Sequence, residues 1–230
     1  MTGPIHPEAE GPALDAAGPL HEQVFRRLRA DLMAGRFAPG QKLPLRALAQ
    51  QMGTSLMPVR DAVQRLESLG VLRLTPGRTM IVPELSPAER ADLVRLRLVL
   101  ETETAAVAAL RRTEVELAAL GGECAVMRRA AAAGDTPAFL AANLRFHGAI
   151  AAAAHNRFLA EVLDPLWMRL GPIVRVQTPD QANMLRSAVY HDDILLALLR
   201  RDGAAAAAAM RRDILDEAPA GVAADAVPGA

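Results

Sequence analysis

The chain has 230 residues, 26 basic against 26 acidic side chains, and 51% hydrophobic residues, enough for one large domain or two small ones with a packed core. Only seven residues are aromatic, so that core has to come from Leu, Val, Ile, Met and Ala, and alanine's helix propensity points to a mainly α protein. The single cysteine, Cys124, excludes an intramolecular disulfide and a Cys-based zinc finger, and reads as a small buried hydrophobe.

In chain order, residues 1–17 are rich in Pro, Gly, Ala and acids, cannot bury a face, and are expected to be a disordered tail. They show no charged-then-apolar leader pattern, and no apolar run in the chain approaches the roughly 20 residues of a membrane span. A cytoplasmic protein without membrane association is the expectation. A first helix follows over Leu20–Met33, with Val24, Leu28 and Leu32 at i, i+4 and i+8, and is stopped by Gly35 and Pro39-Gly40. A second helix covers Arg46–Met52 and ends at Gly53, a C′ glycine. Ser55 stands at an N-cap position, Pro58 falls in the first turn where no intrahelical N–H bond is lost, and a third helix runs over Leu56–Leu69. It buries Val59, Val63, Leu66 and Leu69, and Gly70 ends it. Val71–Leu74 and Met80–Val82 then flank the turn Thr75-Pro76-Gly77-Arg78 as a hairpin.

Pro83–Leu85 is read as a linker. Ser86-Pro87-Ala88-Glu89 is a capping box with proline at the first helical position, and it opens a second domain read as all helical to Glu217. Further starts are marked at Thr113-Glu114-Val115-Glu116, at Asp135-Thr136-Pro137, near Arg157, near Asp180 and at Asp202. About six helices make a bundle. The alanine runs at 130–133, 151–154 and 204–209 fall inside or beside those helices. The tail 218–230 repeats the character of the first 17 residues. The domain division is therefore 1–17, 18–84, 85–217 and 218–230.

Residues 20–82 thus trace a winged helix-turn-helix, a shape that sets one helix into the DNA major groove and a hairpin against the flanking backbone. Charge agrees: residues 18–84 carry ten Arg/Lys against five Asp/Glu, while residues 85–217 carry sixteen against seventeen. Several enzyme classes lose their easiest forms. Lys42 is the only lysine and lies in no GxxxxGK[ST] loop, and neither GxSxG nor GxGxxG occurs.

Pro39-Gly40, Leu43, Arg46, Leu48-Ala49, Ser55, Pro58-Val59-Arg60-Asp61-Ala62-Val63, Arg65-Leu66-Glu67 and Gly70 together resemble the N-terminal domain of GntR-family transcription regulators. The resemblance implies DNA contacts from Arg46 and Arg60, base-edge contacts from Ser55, Leu56 and Met57, and a wing tip at Gly77 and Arg78 in the minor groove or on phosphates. Arginine suits this because its planar fork binds guanine or phosphate in bidentate fashion. Arg65 is divided between a phosphate contact and a salt bridge. Two departures stand out. Leu56-Met57 replaces the family's polar pair, leaving thymine methyls as the partners such side chains can meet, and Gly77-Arg78 inverts the usual Arg-Gly order of the wing.

The second domain resembles the FCD type of the FadR subfamily on Arg97-x-x-x-Glu101, Asn143-x-x-Phe146-His147-x-x-Ile150, Asn156, His191-x-x-Ile194 and Met210-x-x-Asp213. The resemblance implies a divalent metal (Zn, Ni or Mn) held by Asn143, His147, His191 and Asp213, and a small carboxylate effector contacting Arg97. Asn143 and His147 are i, i+4 on one helix and so project from one face. Asn143 stands where Asp is usual and Asp213 where a third His is usual, so an amide oxygen, two imidazoles and a carboxylate replace the common set. A metal-free polar cavity is the competing reading of these residues, and a buried pair with Glu101 is that of Arg97. His21 and His155 read as surface or capping residues.

The implied function is a metabolite-responsive DNA-binding repressor, not an enzyme, which binds a short palindromic operator in double-stranded DNA as a homodimer. Two rivals remain. One is a metal-dependent enzyme at the four-residue set, for which the sequence supplies no obvious general base. The other is an effector-independent DNA-binding dimer.

Overall fold

The computed structural model describes residues 18–176 and 180–217; the two tails read as disordered lie outside the described residues. By its contacts the chain divides into two compact units, Met1–Asp31 with Gly40–Pro83 and Leu32–Pro39 with Glu84–Ala230.

The first unit is built on helices α1 (Leu20–Met33, whose last two residues fall in the second unit), α2 (Leu45–Gln51) and α3 (Leu56–Ser68), followed by strands β1 (Arg73–Leu74) and β2 (Met80–Ile81). Val24 and Leu28 of α1, Leu48 of α2, and Val59, Val63 and Leu66 of α3 are buried, the apolar stripe expected of a helix facing a core. Leu69 is only partly buried, and α3 stops one residue before it, because Gly70 takes a left-handed conformation (φ 66°) and Val71 N–H turns back to the Leu66 carbonyl. The strands are shorter than read. β1 starts at Arg73 because Val71 and Leu72 are buried in the turn out of α3, where both N–H groups donate to Leu66 O. β1 pairs antiparallel with β2, Arg73 opposite Ile81 and Leu74 opposite Met80, and a bridge between Lys42 and Ile81 extends the small sheet. Helix α2 begins and ends one residue earlier than the sequence reading, at Leu45 and Gln51, with Pro44 before it.

The second unit is six helices: α4 (Pro87–Arg111), α5 (Glu114–Ala133), α6 (Thr136–Ala153), α7 (Arg157–Val176), α8 (Gln181–Leu199) and α9 (Gly203–Glu217). Every start marked in the sequence is used. Ser86 and Thr113 form full capping boxes with Glu89 and Glu116, and the side chains of Asp135 and Asp180 accept from Ala138 N–H and Asn183 N–H. Alanines, inside the runs and outside them, do much of the packing. Ala105, Ala108 and Ala109 of α4, Ala130 and Ala131 of α5, Ala153 of α6, and Ala206 and Ala209 of α9 all lie in the core. Small side chains let α9 run close along α4 and α8. A Cβ on Gly203 would already sit 3.0 Å from the Ala106 carbonyl oxygen. Arg112 is buried by a different logic: its guanidinium donates to the Leu198 and Leu199 carbonyls, at 3.2 and 3.1 Å, and so closes the end of α8. Cys124 is buried as read, and burial pushes its thiol pKa up to about 12. No helix among the described residues is long and apolar enough to cross a membrane.

Candidate functional site

Two sets of side chains separate themselves from the packing, one in each unit. In the first unit, Ser55 precedes α3 in an extended conformation (φ −75°, ψ 167°), but its side chain makes no capping hydrogen bond. Ser55 is an exposed residue at a helix N-terminus, a place where an anion is favoured. Met57 is 58% exposed, as are several other apolar side chains of the described residues, so its exposure leaves it available for contact without singling it out. Leu56 is half-buried, while Arg46 and Arg60 are exposed and make no ion pair among the described residues. Arg65 resolves the other way: it pairs with Glu22 at 2.9 Å and lies over the Phe25 ring at 3.9 Å, a structural role inside this unit.

The wing explains its inverted order. Arg78 N–H donates to the Thr75 carbonyl at 2.8 Å, closing a β-turn over Thr75-Pro76-Gly77-Arg78, and Arg78 itself has φ 56°. The left-handed position of the hairpin thus falls on Arg78 and not on Gly77. An arginine there costs on the order of 1 kcal/mol relative to glycine. The strained residue holds an exposed guanidinium at the hairpin tip.

In the second unit, α6, α8 and α9 bring together three residues distant in sequence. The available ligand atoms of His147, His191 and Asp213, all buried, lie within 4.8 Å of one another. Asn143, one turn before His147 on α6, belongs to the same group by a further property. Each of these four residues has one polar atom satisfied and one left over. Asn143 Nδ2 donates to Glu217 Oε1 at 3.1 Å. His147 Nδ1 meets Glu101 Oε2 at 2.9 Å, and His191 Nδ1 meets the Ser187 carbonyl at 2.8 Å. Asp213 Oδ1 accepts from the Ser187 hydroxyl at 3.4 Å. The remaining atoms, Asn143 Oδ1, His147 Nε2, His191 Nε2 and Asp213 Oδ2, are buried without a hydrogen-bond partner.

The tautomers follow from those partners. An Nδ1 facing a carboxylate or a carbonyl must carry the proton, which leaves Nε2 as an acceptor. Four acceptors then stand in a buried place with no donor, an arrangement that costs free energy unless a cation or a proton enters it. His147 shows how a proton can serve. Burial alone lowers its pKa, but the close carboxylates of Asp213 and Glu101 hold it up at about 10. Nε2 lies 3.3 Å from Asp213 Oδ2, close enough for charge attraction yet not aligned as a hydrogen bond. Burial likewise pushes the Asp213 carboxyl up, and the imidazoles of His191 and His147 hold it below the usual carboxylate range.

Around this centre lies a supporting shell that the motifs only partly disclosed. Glu101, 2% exposed, accepts from Arg97 Nε at 2.6 Å, His147 Nδ1 at 2.9 Å and Trp167 Nε1 at 3.1 Å. Burial pushes the Glu101 carboxyl up, but the Arg97 charge and the His147 hydrogen bond bring it to about 2, so it stays ionised. A carboxylate holding the far nitrogen of an imidazole is the usual second partner of a metal-bound histidine. Phe146 packs edge-on against both rings, with centroids 6.0 Å from His147 and 4.9 Å from His191. Arg97 is 3% exposed and is shared between Glu101 and Glu217, the latter at 3.0 Å. A cavity of about 50 Å³ opens beside it, lined by Arg97, Leu140, Asn143, Leu144, His147, Trp167, Leu170 and Glu217 among others.

Ser187, Trp167 and Glu217 were not singled out from sequence. Ser187 lies four residues before His191 and Glu217 four after Asp213, so helical spacing from the motif positions could have found both. Trp167 carried only the signal of being the single tryptophan. His155 ends α6 in a left-handed conformation (φ 48°), half exposed, 3.3 Å from Glu116, and remote in role from the centre.

A winged helix-turn-helix whose Arg46, Arg60 and Arg78 make no ion pair among the described residues, carried with a helical domain that buries a polar centre, points to a DNA-binding transcription regulator. The comparisons place it more narrowly. Residues 20–82 match the bacterial regulatory proteins of the gntR family, and residues 92–216 match the FCD domain. The chain is 33% identical over 150 residues to the HTH-type transcriptional regulator McbR of Escherichia coli K12, covering 65% of this chain and 68% of McbR. A probable D-xylose utilization operon transcriptional repressor of Paenarthrobacter nicotinovorans is 27% identical over 158 residues, 69% of this chain and 70% of that protein. The solved structure of E. coli McbR superposes with a TM-score of 0.80 at 27% identity, covering 86% of this chain and 94% of that one. A regulator from Rhodococcus sp. RHA1 shares the fold with a TM-score of 0.70 at 20% identity. This chain belongs to the GntR family, in the branch that carries an FCD domain. That family consists of transcription regulators, which removes the enzyme reading of the buried centre.

Proposed function

We propose that this regulator is a cytoplasmic homodimeric repressor whose DNA affinity is set by a small organic acid bound in the helical domain. In this reading residues 18–84 bind DNA and residues 85–217 bind effector and partner subunit. Ser55, Leu56 and Met57 meet base edges in each half of a short palindrome, Arg46 and Arg60 contact bases or phosphates beside them, and Gly77 and Arg78 approach the backbone or minor groove. Leu56 and Met57 favour half-sites that present thymine methyls.

The observation that carries the ligand-responsive part is the set of four buried acceptors without donors. With neutral imidazoles, the ion-paired shell of Arg97, Glu101, Asp213 and Glu217 holds two net negative charges, which favours a divalent cation. Asn143, His147, His191 and Asp213 would hold Zn, Ni or Mn through the atoms now without partners. A bound cation would supply a positive centre that attracts a ligand carboxylate. Glu101 and the Ser187 carbonyl orient the two imidazoles, and Phe146 keeps the rings from rotating. A ligand shifts DNA binding only by preferring one arrangement of the dimer over another.

Metal content tests this directly, in protein purified without chelator or affinity-tag metal, alongside binding to an operator selected from random duplexes before and after EDTA. About one metal per chain and a change in operator affinity on chelation are expected. No metal, with binding indifferent to EDTA, overturns the metal reading. It leaves the second one, in which His147 carries a proton on each nitrogen between Glu101 and Asp213 and the effector is held by Arg97 and the cavity wall.

A further inference from the structure

We propose that Glu217 is a built-in surrogate for the effector: its carboxylate occupies the seat between Arg97 and Asn143 that the effector's carboxylate takes over. This rests on the reading of the helical domain as an effector domain. The seat is defined by two donors, Arg97 Nη1 at 3.0 Å from Oε2 and Asn143 Nδ2 at 3.1 Å from Oε1. Together they grip both oxygens of one carboxylate, as two donors would grip a small organic acid.

Of the two carboxylates on Arg97, only Glu217 can leave. Glu101 is 2% exposed and also holds His147 and Trp167, whereas the Glu217 side chain is 21% exposed and ends α9. The space left beside it is small, about 50 Å³, and the two donors are already taken by Glu217, so a carboxylate that binds them enters by exchange with that side chain.

Asn143 makes sense in this light. An aspartate there would set a carboxylate against that of Glu217, while the amide donates to Glu217 with one atom and keeps Oδ1 for the buried centre. Glu217 also lies one turn beyond Asp213 on α9. Exchange at the seat therefore releases the end of the helix that carries Asp213, and links ligand arrival to a specific element.

The test is chemical rescue with acetate in the full-length protein. Glu217→Ala leaves the Arg97 charge short of a partner and lowers the melting temperature. Acetate, against matched chloride, should restore it by a shift on the order of 5 °C at saturation, while the wild type, whose seat is filled, responds much less. Fluorescence of Trp167, which lines the same cavity, should report acetate binding at least about tenfold tighter in the variant than in the wild type. Equal responses in the two proteins, or none in either, overturn the proposal and make Glu217 an ordinary ion-pair partner. Glu217→Ser, which also empties the seat while keeping a small polar side chain at the helix end, gives the same readouts should the alanine variant fail to fold. Operator binding is measured separately. Rescue without any effect of acetate on DNA binding keeps the seat and removes the regulatory reading built on it.

Discussion

The two units treat charge in opposite ways. In the reader, Arg46, Arg60 and Arg78 stand exposed and without ion pairs among the described residues, so their charge is directed to whatever polyanion approaches. In the helical domain the decisive charges are buried, and each is answered by another. Arg97 sits between Glu101 and Glu217, and His147 between Glu101 and Asp213. Exposed charge is inexpensive to keep and gives long-range attraction to a backbone of phosphates. Buried charge is costly unless matched, which makes it sensitive to one added or removed ligand. The first suits a DNA surface and the second a small-molecule switch.

The largest effect is expected at Glu101. Glu101→Ala removes the one carboxylate that Arg97, His147 and Trp167 share, leaving charge uncompensated in the core. Breaking such a pair costs about 3–5 kcal/mol. Urea unfolding should show it as a lower midpoint with unchanged slope. A loss under about 1 kcal/mol would mean that this network is not matched in the way described.

Arg60 tests the other half of the contrast. Because it supports nothing inside its own unit, Arg60→Ala should leave the helical circular dichroism and the melting curve unchanged. It should remove specific operator binding, at about 1–3 kcal/mol for a bidentate contact. If operator affinity persists, the docking of α3 is misassigned. If stability falls instead, the charge is not the free one described here.

The same contrast governs what could be read from sequence. The reader is local: Gly53, Ser55, Pro58 and Gly70 punctuate its helices within 18 residues, so pattern and motif located α1 to α3 within a residue. Its hairpin was overextended because Val71 and Leu72 look like strand residues, and only their burial in the turn shows otherwise. The six helical starts of the second domain were legible for the same local reason, since caps are written in adjacent residues. Its centre was legible only through resemblance. Nothing along the chain says that residues 101, 147, 167 and 217 meet, because helix crossings decide that. Helical spacing puts Ser187 and Glu217 on the same faces as His191 and Asp213, but that Ser187 orients His191 and Glu217 meets Arg97 is decided by packing.

The smallest expected effect separates fold from function at one residue. Arg78 occupies a left-handed backbone position that glycine fills without strain, and the neighbouring Gly77 does not relieve it. Arg78→Gly should therefore leave the hairpin as stable or slightly more so, by about 0–0.6 kcal/mol once the added freedom of the unfolded chain is counted. Stability of the full chain to urea should rise or hold steady. Operator binding should nevertheless weaken, uniformly across sequences, with the salt dependence falling by about one unit as one phosphate contact disappears. An unchanged salt slope would remove Arg78 from the DNA surface. The strain would then have no functional counterpart, and the wing would differ from the rest of the reader in carrying an exposed charge with no phosphate to meet.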